Sequence, residues 1–167
     1  MNNPNHHSVW TLLADRFQDA VQSLGDPYDM MTIEVGSENL LELLQFLKVD
    51  EQLQYIHLTD ITAVHYPDRD LNFTVVYHLQ SLVFNRRLRI KVPIGGEPPQ
   101  IPSATSIWKG ANWMERETYD FFGIQFVGHP DLRRILNMED MEVFPMRKEY
   151  PLEDPNRTDK KDLYFGR

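Results

Sequence analysis

The chain has 167 residues, of which 41% are apolar and 25% charged, enough to bury the core of one domain. Its net charge of −8, from 17 basic and 25 acidic residues, argues against nucleic acid as the main partner, because phosphate contacts need a basic surface. It contains no cysteine, which removes disulfides, thiolate nucleophiles, Cys-ligated zinc and conventional iron–sulfur ligation together.

No run approaches the roughly 18 consecutive apolar residues of a membrane span. Met1 to His7 is polar and lacks the basic-then-apolar layout of a signal peptide. The expectation is a chain in the cytosol or on a membrane face.

Residues 8–24 predict an amphipathic helix with Trp10, Leu13, Phe17, Val21 and Leu24 at helical spacing, ended by Gly25-Asp26-Pro27. Met30 to Val35 predicts a short strand. Ser37 is placed to cap a second helix, with Glu38 adding favourable charge near its positive end and Leu40, Leu43, Leu44 and Leu47 as its buried stripe. Three β segments follow: Tyr55 to Tyr66, Phe73 to Leu79 and Arg86 to Val92. The last alternates Leu88, Ile90 and Val92 with Arg87, Arg89 and Lys91, as in an antiparallel strand with one wet side. That basic stripe reads as a solvated face; an acidic partner surface is the sharper alternative.

Pro93 to Pro102 holds four prolines and Gly95-Gly96 and reads as a loop. Thr105 or Ser106 is placed to cap a further helix whose seam is Ile107, Ala111, Met114, Thr118 and Phe121, with Gly123 at a left-handed C-terminal cap. From Asn137 the character changes to prolines, charges and little periodicity. Residues 1–136 are therefore expected to form one domain and residues 137–167 an extended arm, with too few apolar residues to bury a core. Strands clustered mid-chain predict an α+β class: two layers, one mixed and mainly antiparallel sheet packed by helices.

Glu115, Glu117, Asp120 and His129 invite an acid–base reading, and with it an independent soluble hydrolase using Glu117, Asp120 and His129. Spacing weakens it: Glu115 and Glu117 diverge by about 200° on a helix. Arg116 lies four before Asp120 and is placed to pair with it. His129-Pro130 reads as turn chemistry, the proline holding the histidine extended after Gly128. The histidines show no compact ligand spacing, and Gly95-Gly96 belongs to no nucleotide-binding motif, so neither metal nor cofactor is expected. The basic pairs Arg133-Arg134 and Arg147-Lys148, with Trp113, Tyr119, Phe144 and Tyr150, are the residue types enriched at interfaces. An arm carrying them would gain stability by lying along another protein.

The stretch Glu115-Arg-Glu-Thr-Tyr-Asp-Phe-Phe-Gly123, then His129-Pro-Asp-Leu-Arg-Arg-Ile-Leu136, resembles the signature of the 30 kDa subunit of respiratory complex I, also called its C subunit. Asp60-Ile-Thr, Tyr66-Pro, Val76-Tyr-His-Leu and Arg86-Arg-Leu-Arg-Ile-Lys-Val resemble the same family's sheet, and Pro145-Met-Arg-Lys-Glu-Tyr-Pro151 its ending, so the likeness covers roughly residues 30–152. It implies a non-catalytic, cofactor-free, peripheral-arm subunit of a proton-translocating NADH:quinone oxidoreductase, on the cytoplasmic face of the inner membrane. The implied partners are the large quinone-site D subunit and other peripheral-arm subunits, with no bilayer insertion. Within the superfamily, the alternative is the equivalent subunit of a membrane-bound hydrogenase or a ferredoxin:quinone reductase. The signature residues Glu115, Arg116, Glu117, Tyr119, Asp120, Gly123, His129, Pro130, Arg133, Arg134, Arg147 and Lys148 are then expected at a subunit interface. One departure stands out: where relatives show Trp-x-Gly before an aromatic or histidine and proline, this chain has Met141-Glu-Val-Phe-Pro145, predicting a less tight turn.

Overall fold

A computed structural model describes residues 4–150. The elements are α1 (Pro4–Phe17), β1 (Val21–Ser23), β2 (Met31–Val35), α2 (Leu40–Val49), β3 (His57–His65), β4 (Phe73–Ser81), β5 (Arg86–Ile94), β6 (Gln100–Pro102), α3 (Ala111–Phe122) and β7 (Gln125–Val127). Five strands form the main sheet in the order β1-β2-β5-β4-β3. β3, β4 and β5 are an antiparallel meander in which Tyr77 lies opposite both Ile61 and Ile90. β2 joins β5 in parallel and β1 joins β2 antiparallel, so the sheet is mixed and mainly antiparallel. The fold is α+β, as the clustering of strands predicts.

Period-two alternation decides which face is inside. Phe73, Val75, Tyr77 and Leu79 of β4 and Leu88, Ile90 and Val92 of β5 are all buried, with Met31, Ile33 and Val35 of β2 beside them. Val9, Leu13 and Phe17 of α1 and the Leu40, Leu43, Leu44 and Leu47 stripe of α2 join the same hydrophobic cluster. Each such leucine taken out of water contributes about 1.5–3 kcal/mol. On the outward face Arg89 Nε donates to His78 Nε2 at 3.0 Å, and Asp60 lies 3.7 Å from the other ring nitrogen. The basic stripe of β5 is therefore partly engaged within its own sheet.

The outer edge of β3 would leave unpaired backbone groups, the usual hazard of an edge strand. α3 lies along it, and the single Thr118 hydroxyl proton is shared between the Ile61 carbonyl across the gap, 3.1 Å from Oγ1, and Met114 O in its own helix, 2.8 Å away.

Four local expectations are corrected. The first helix stops at Phe17, because Val21 leaves it to pair with Val35 in β1, where ladder bonds and burial outweigh another helical turn. Leu24 is 44% exposed and belongs to no helical seam. Ser37 does not cap α2 through its side chain: Asn39 is the N-cap, and the entry is closed by backbone bonds from Asn39 N to Gly36 O and Leu40 N to Ser37 O. α3 starts at Ala111 rather than after Thr105 or Ser106, since Ile107 N and Trp108 N close a separate turn onto Ala104 O. In the proline-rich loop, Gln100–Pro102 pairs in parallel with Gln125–Val127 to make a second small sheet.

Candidate functional site

The charged signature is built around α3. Its helical repeat turns Glu115, Arg116, Thr118, Asp120 and Phe122 inward, and Asp120 is fully buried. Oδ2 of Asp120 accepts three successive backbone N–H groups, from Ile135 at 3.1 Å, Leu136 at 2.8 Å and Asn137 at 2.8 Å. Oδ1 accepts Arg134 Nη1 at 2.8 Å and Asn137 Nδ2 at 3.1 Å. Burial pushes the carboxyl upward, but the Asn137, Arg134, Leu136 and Ile135 donors together outweigh it and hold its pKa well below the usual carboxylate range.

Arg134 spreads the connection further. Its Nη1 also donates to Asp120 O at 3.0 Å, while Nη2 donates to Val143 O at 3.0 Å and to Met141 O. The guanidinium centre sits 4.9 Å from the Phe144 ring centroid. One side chain thus ties α3 to two points of the 137–150 segment.

Arg116 does not pair with Asp120. Its Nε and Nη2 donate to the carbonyls of Arg133 at 3.1 Å and Arg134 at 2.9 Å, with Trp113 5.4 Å from its guanidinium. A helix-surface pair would have left three part-buried N–H groups of the 135–137 segment and the Arg134 guanidinium without their shared acceptor, a larger penalty than one i,i+4 pair returns.

Glu115, also fully buried, points the other way. Its carboxylate accepts Ser103 Oγ at 2.7 Å and Ala104 N at 2.6 Å, fastening α3 to the segment after β6. Burial raises its pKa to about 7 despite these two bonds. The Tyr77 hydroxyl, buried and without a hydrogen-bond partner among the described residues, has its pKa raised by burial and by Glu115.

At the far end of α3, Gly123 takes φ +75° and donates its N–H to Tyr119 O at 2.8 Å, the left-handed cap its position predicts. A Cβ there would fall 2.6 Å from Phe144 Cε2 and 2.7 Å from Arg147 Nη2, so the bare backbone lets the segment lie close. Tyr119 meets Phe144 edge-on at 6.0 Å. Arg147 Nε donates to Phe122 O at 2.7 Å, and Met146 N donates to Phe121 O at 3.2 Å. Lys148 contributes through its backbone, donating N–H to buried His65 Nδ1 at 3.0 Å, and its side chain stays exposed.

His129 Nδ1 accepts Asp131 N–H at 3.0 Å, which leaves Nε2–H to donate to Asn112 O at 3.1 Å. Pro130 is exposed beside it, and Arg133 forms an exposed pair with Asp131 at 2.9 Å. Glu117 is exposed on the outer face of α3. The hydrolase trio is therefore not assembled: Glu117 faces solvent, Asp120 spends its lone pairs on five donors, and His129 is turned to a main-chain carbonyl. Among the described residues no group of three His, Cys, Asp or Glu side chains could hold a metal ion, and no helix is long and apolar enough to cross a membrane.

Sequence reasoning missed Ser103, Asn137 and His65 as members of this network. Asn137 directly follows the signature and was the most accessible; Ser103 and His65 meet their partners only through the fold.

A mixed, mainly antiparallel sheet packed by helices, with signature charges tying the 137–150 segment to one helix, defines an α+β module. Residues 33–156 match the family profile described as "Respiratory-chain NADH dehydrogenase, 30 Kd subunit". The chain is 44% identical over 149 residues to the C subunit of an NADH-quinone oxidoreductase of Citrifermentans bemidjiense, covering 89% of this chain and 91% of that one. It is 45% identical over 141 residues to the C 2 subunit of the enzyme of the same name from Rhizobium etli, covering 84% and 74% respectively. Among solved structures, the trypsin-resistant fragment (1-134) of Nqo5 superimposes with a TM-score of 0.65 at 29% identity, over 74% of this chain and 98% of the fragment. One polypeptide of the membrane-bound sulfane sulfur reductase, an archaeal respiratory membrane complex, shares the fold with a TM-score of 0.75 at 20% identity, over 87% and 85%. The chain belongs to the family of 30 kDa, or C, subunits of the respiratory-chain NADH-quinone oxidoreductase.

Proposed function

We propose that this chain is a non-catalytic, cofactor-free subunit of the peripheral arm of a proton-translocating NADH:quinone oxidoreductase. It works at the cytoplasmic face of the membrane by fixing the position of the quinone-site D subunit. The observation that carries this reading is the saturated Asp120–Arg134 brace: Asp120, fully buried among the groups that resemble acid–base machinery, is spent on Arg134 and the 135–137 amides, and Arg134 in turn holds the 137–150 segment against α3. A rigid edge of this kind is what a positioning subunit needs, since a partner docks with least ordering cost on a preorganised surface. Its relatives carry the name of this oxidoreductase, which supports the choice of complex. The second element of the proposal is that the arm the sequence sets apart, residues 137–167, engages the neighbouring subunit; residues 151–167 lie outside the described part.

The test is affinity purification of an N-terminally tagged full chain from detergent-solubilised membranes. Recovery of the quinone-site subunit with the NADH-binding flavoprotein subunit is expected, and recovery of the former should fall sharply when residues 151–167 are removed. Recovery of hydrogenase subunits in place of the flavoprotein, or turnover by the chain alone, would overturn the reading.

A further inference from the structure

The β4–β5 hairpin turns through Leu82, Val83, Phe84 and Asn85 between Ser81 and Arg86, which face each other in the ladder. The backbone makes one special demand there, φ +49° at Asn85, and asparagine meets it. Nothing in the turn requires Leu82, Val83 and Phe84, yet they stand 59%, 61% and 36% exposed at a tip where polar residues are usual. Ile56, 46% exposed, precedes His57, whose ladder partner is Gln80, so it extends the apolar surface at the same end of the sheet.

This tip carries local positive charge on a chain of net charge −8. Arg86 holds its guanidinium 5.0 Å from the Phe84 ring centroid, and its Nε is buried with no acceptor among the described residues. Arg87 follows, exposed on the outward face. A guanidinium fork matches a carboxylate best, and the exposed Arg87 presents one beside the apolar tip.

We propose that the β4–β5 hairpin is a docking element that inserts its Leu82–Phe84 tip into an apolar pocket of another subunit, with acidic residues at the rim for Arg86 and Arg87. This rests on the assignment to a multisubunit complex made above. A protein partner rather than a lipid surface is the occupant because the tip offers only three apolar side chains, a pocket-sized knob, and because the exposed Arg87 guanidinium beside it is matched best by a planar carboxylate.

The test uses the tagged full chain within the assembled complex, with Val83→p-benzoylphenylalanine as a photo-crosslinker and mass spectrometry of the adduct. A cross-link into an apolar peptide of a neighbouring subunit with flanking Asp or Glu is expected. Val83→Asp, and separately Arg86→Glu with Arg87→Glu, should lower recovery of that neighbour at least tenfold. The circular dichroism melt of Val83→Asp should match wild type, so its loss of recovery would report docking and not folding. Cross-linking to lipid, to a non-acidic peptide, or to nothing in an assembled complex would overturn the proposal while leaving the subunit assignment standing. Failure of the wild-type chain to bring down any other subunit would overturn the assignment, and this proposal with it.

Discussion

Arg134 Nη1 lies 2.8 Å from Asp120 Oδ1, in a pair whose side chains are 8% and 0% exposed. The two residues are 14 apart in sequence and meet because the chain reverses after β7 and comes back along α3. Such a buried pair adds little net stability compared with apolar residues of the same shape, but leaving one charge behind is expensive.

Asp120→Asn is accordingly expected to lower stability by about 3–5 kcal/mol, the usual result of breaking a buried, hydrogen-bonded pair. Urea denaturation of the isolated chain measures it. Asp120→Leu combined with Arg134→Met should cost clearly less than the sum of the two single changes. Additive losses would show that the two groups do not act as a pair. Because the Asp120 pKa is depressed in the fold, its contribution is complete above its ordinary value of 3.8 and is lost only as pH falls below that.

Glu115 titrates with the opposite sign. Its pKa is raised from 4.5 to about 7, so the folded chain binds a proton more tightly than the unfolded chain. Stability is greatest below pH 4.5 as far as this group is concerned. It declines as pH rises toward 7, by on the order of 3 kcal/mol across the window. Glu115→Gln keeps an acceptor for Ala104 N–H and supplies a donor to Ser103 Oγ without charge. Thermal melts from about pH 4.5 to 8 should lose this slope in the variant. An unchanged slope would assign the titration to another group.

Gly123→Ala is expected to destabilise by about 1–2 kcal/mol from its left-handed backbone alone. The added methyl also meets Phe144 at 2.6 Å, so the 137–150 segment must lift. Trypsin cleavage after Arg147 and Lys148 should become several-fold faster, as measured by limited proteolysis. Phe144→Ala in the same background should recover part of the stability by removing the clash. No recovery would mean that backbone strain alone explains the loss.

Much of the fold was legible beforehand for a local reason. Alternation in Phe73–Leu79 and Arg86–Val92 and the Leu40–Leu47 stripe are one-dimensional patterns whose buried faces follow from strand and helix geometry. The Gly123 cap was equally local. β1, β6 and β7 escaped notice because strands of three residues have no period to read, and each exists only by pairing with a remote segment. In the site, sequence reasoning located the body and C-terminal cap of α3 and the turn at His129-Pro130, though not the helix start. It mispaired Arg116 with Asp120, since helix spacing shows a near neighbour and hides a buried competitor.

The resemblance of Glu115–Leu136 determined the family, and composition determined that no cysteine chemistry operates here, because both are properties of residue identity and order. Tertiary structure alone decided what the charged signature does. Hydrogen-bond partners are chosen by distance in space: Asp120 takes Arg134 and the 135–137 amides, Arg116 takes two carbonyls, and Glu115 takes Ser103. The charges expected at a subunit interface are for the most part bound inside their own chain, because a buried donor or acceptor must find its partner wherever the fold brings one within reach.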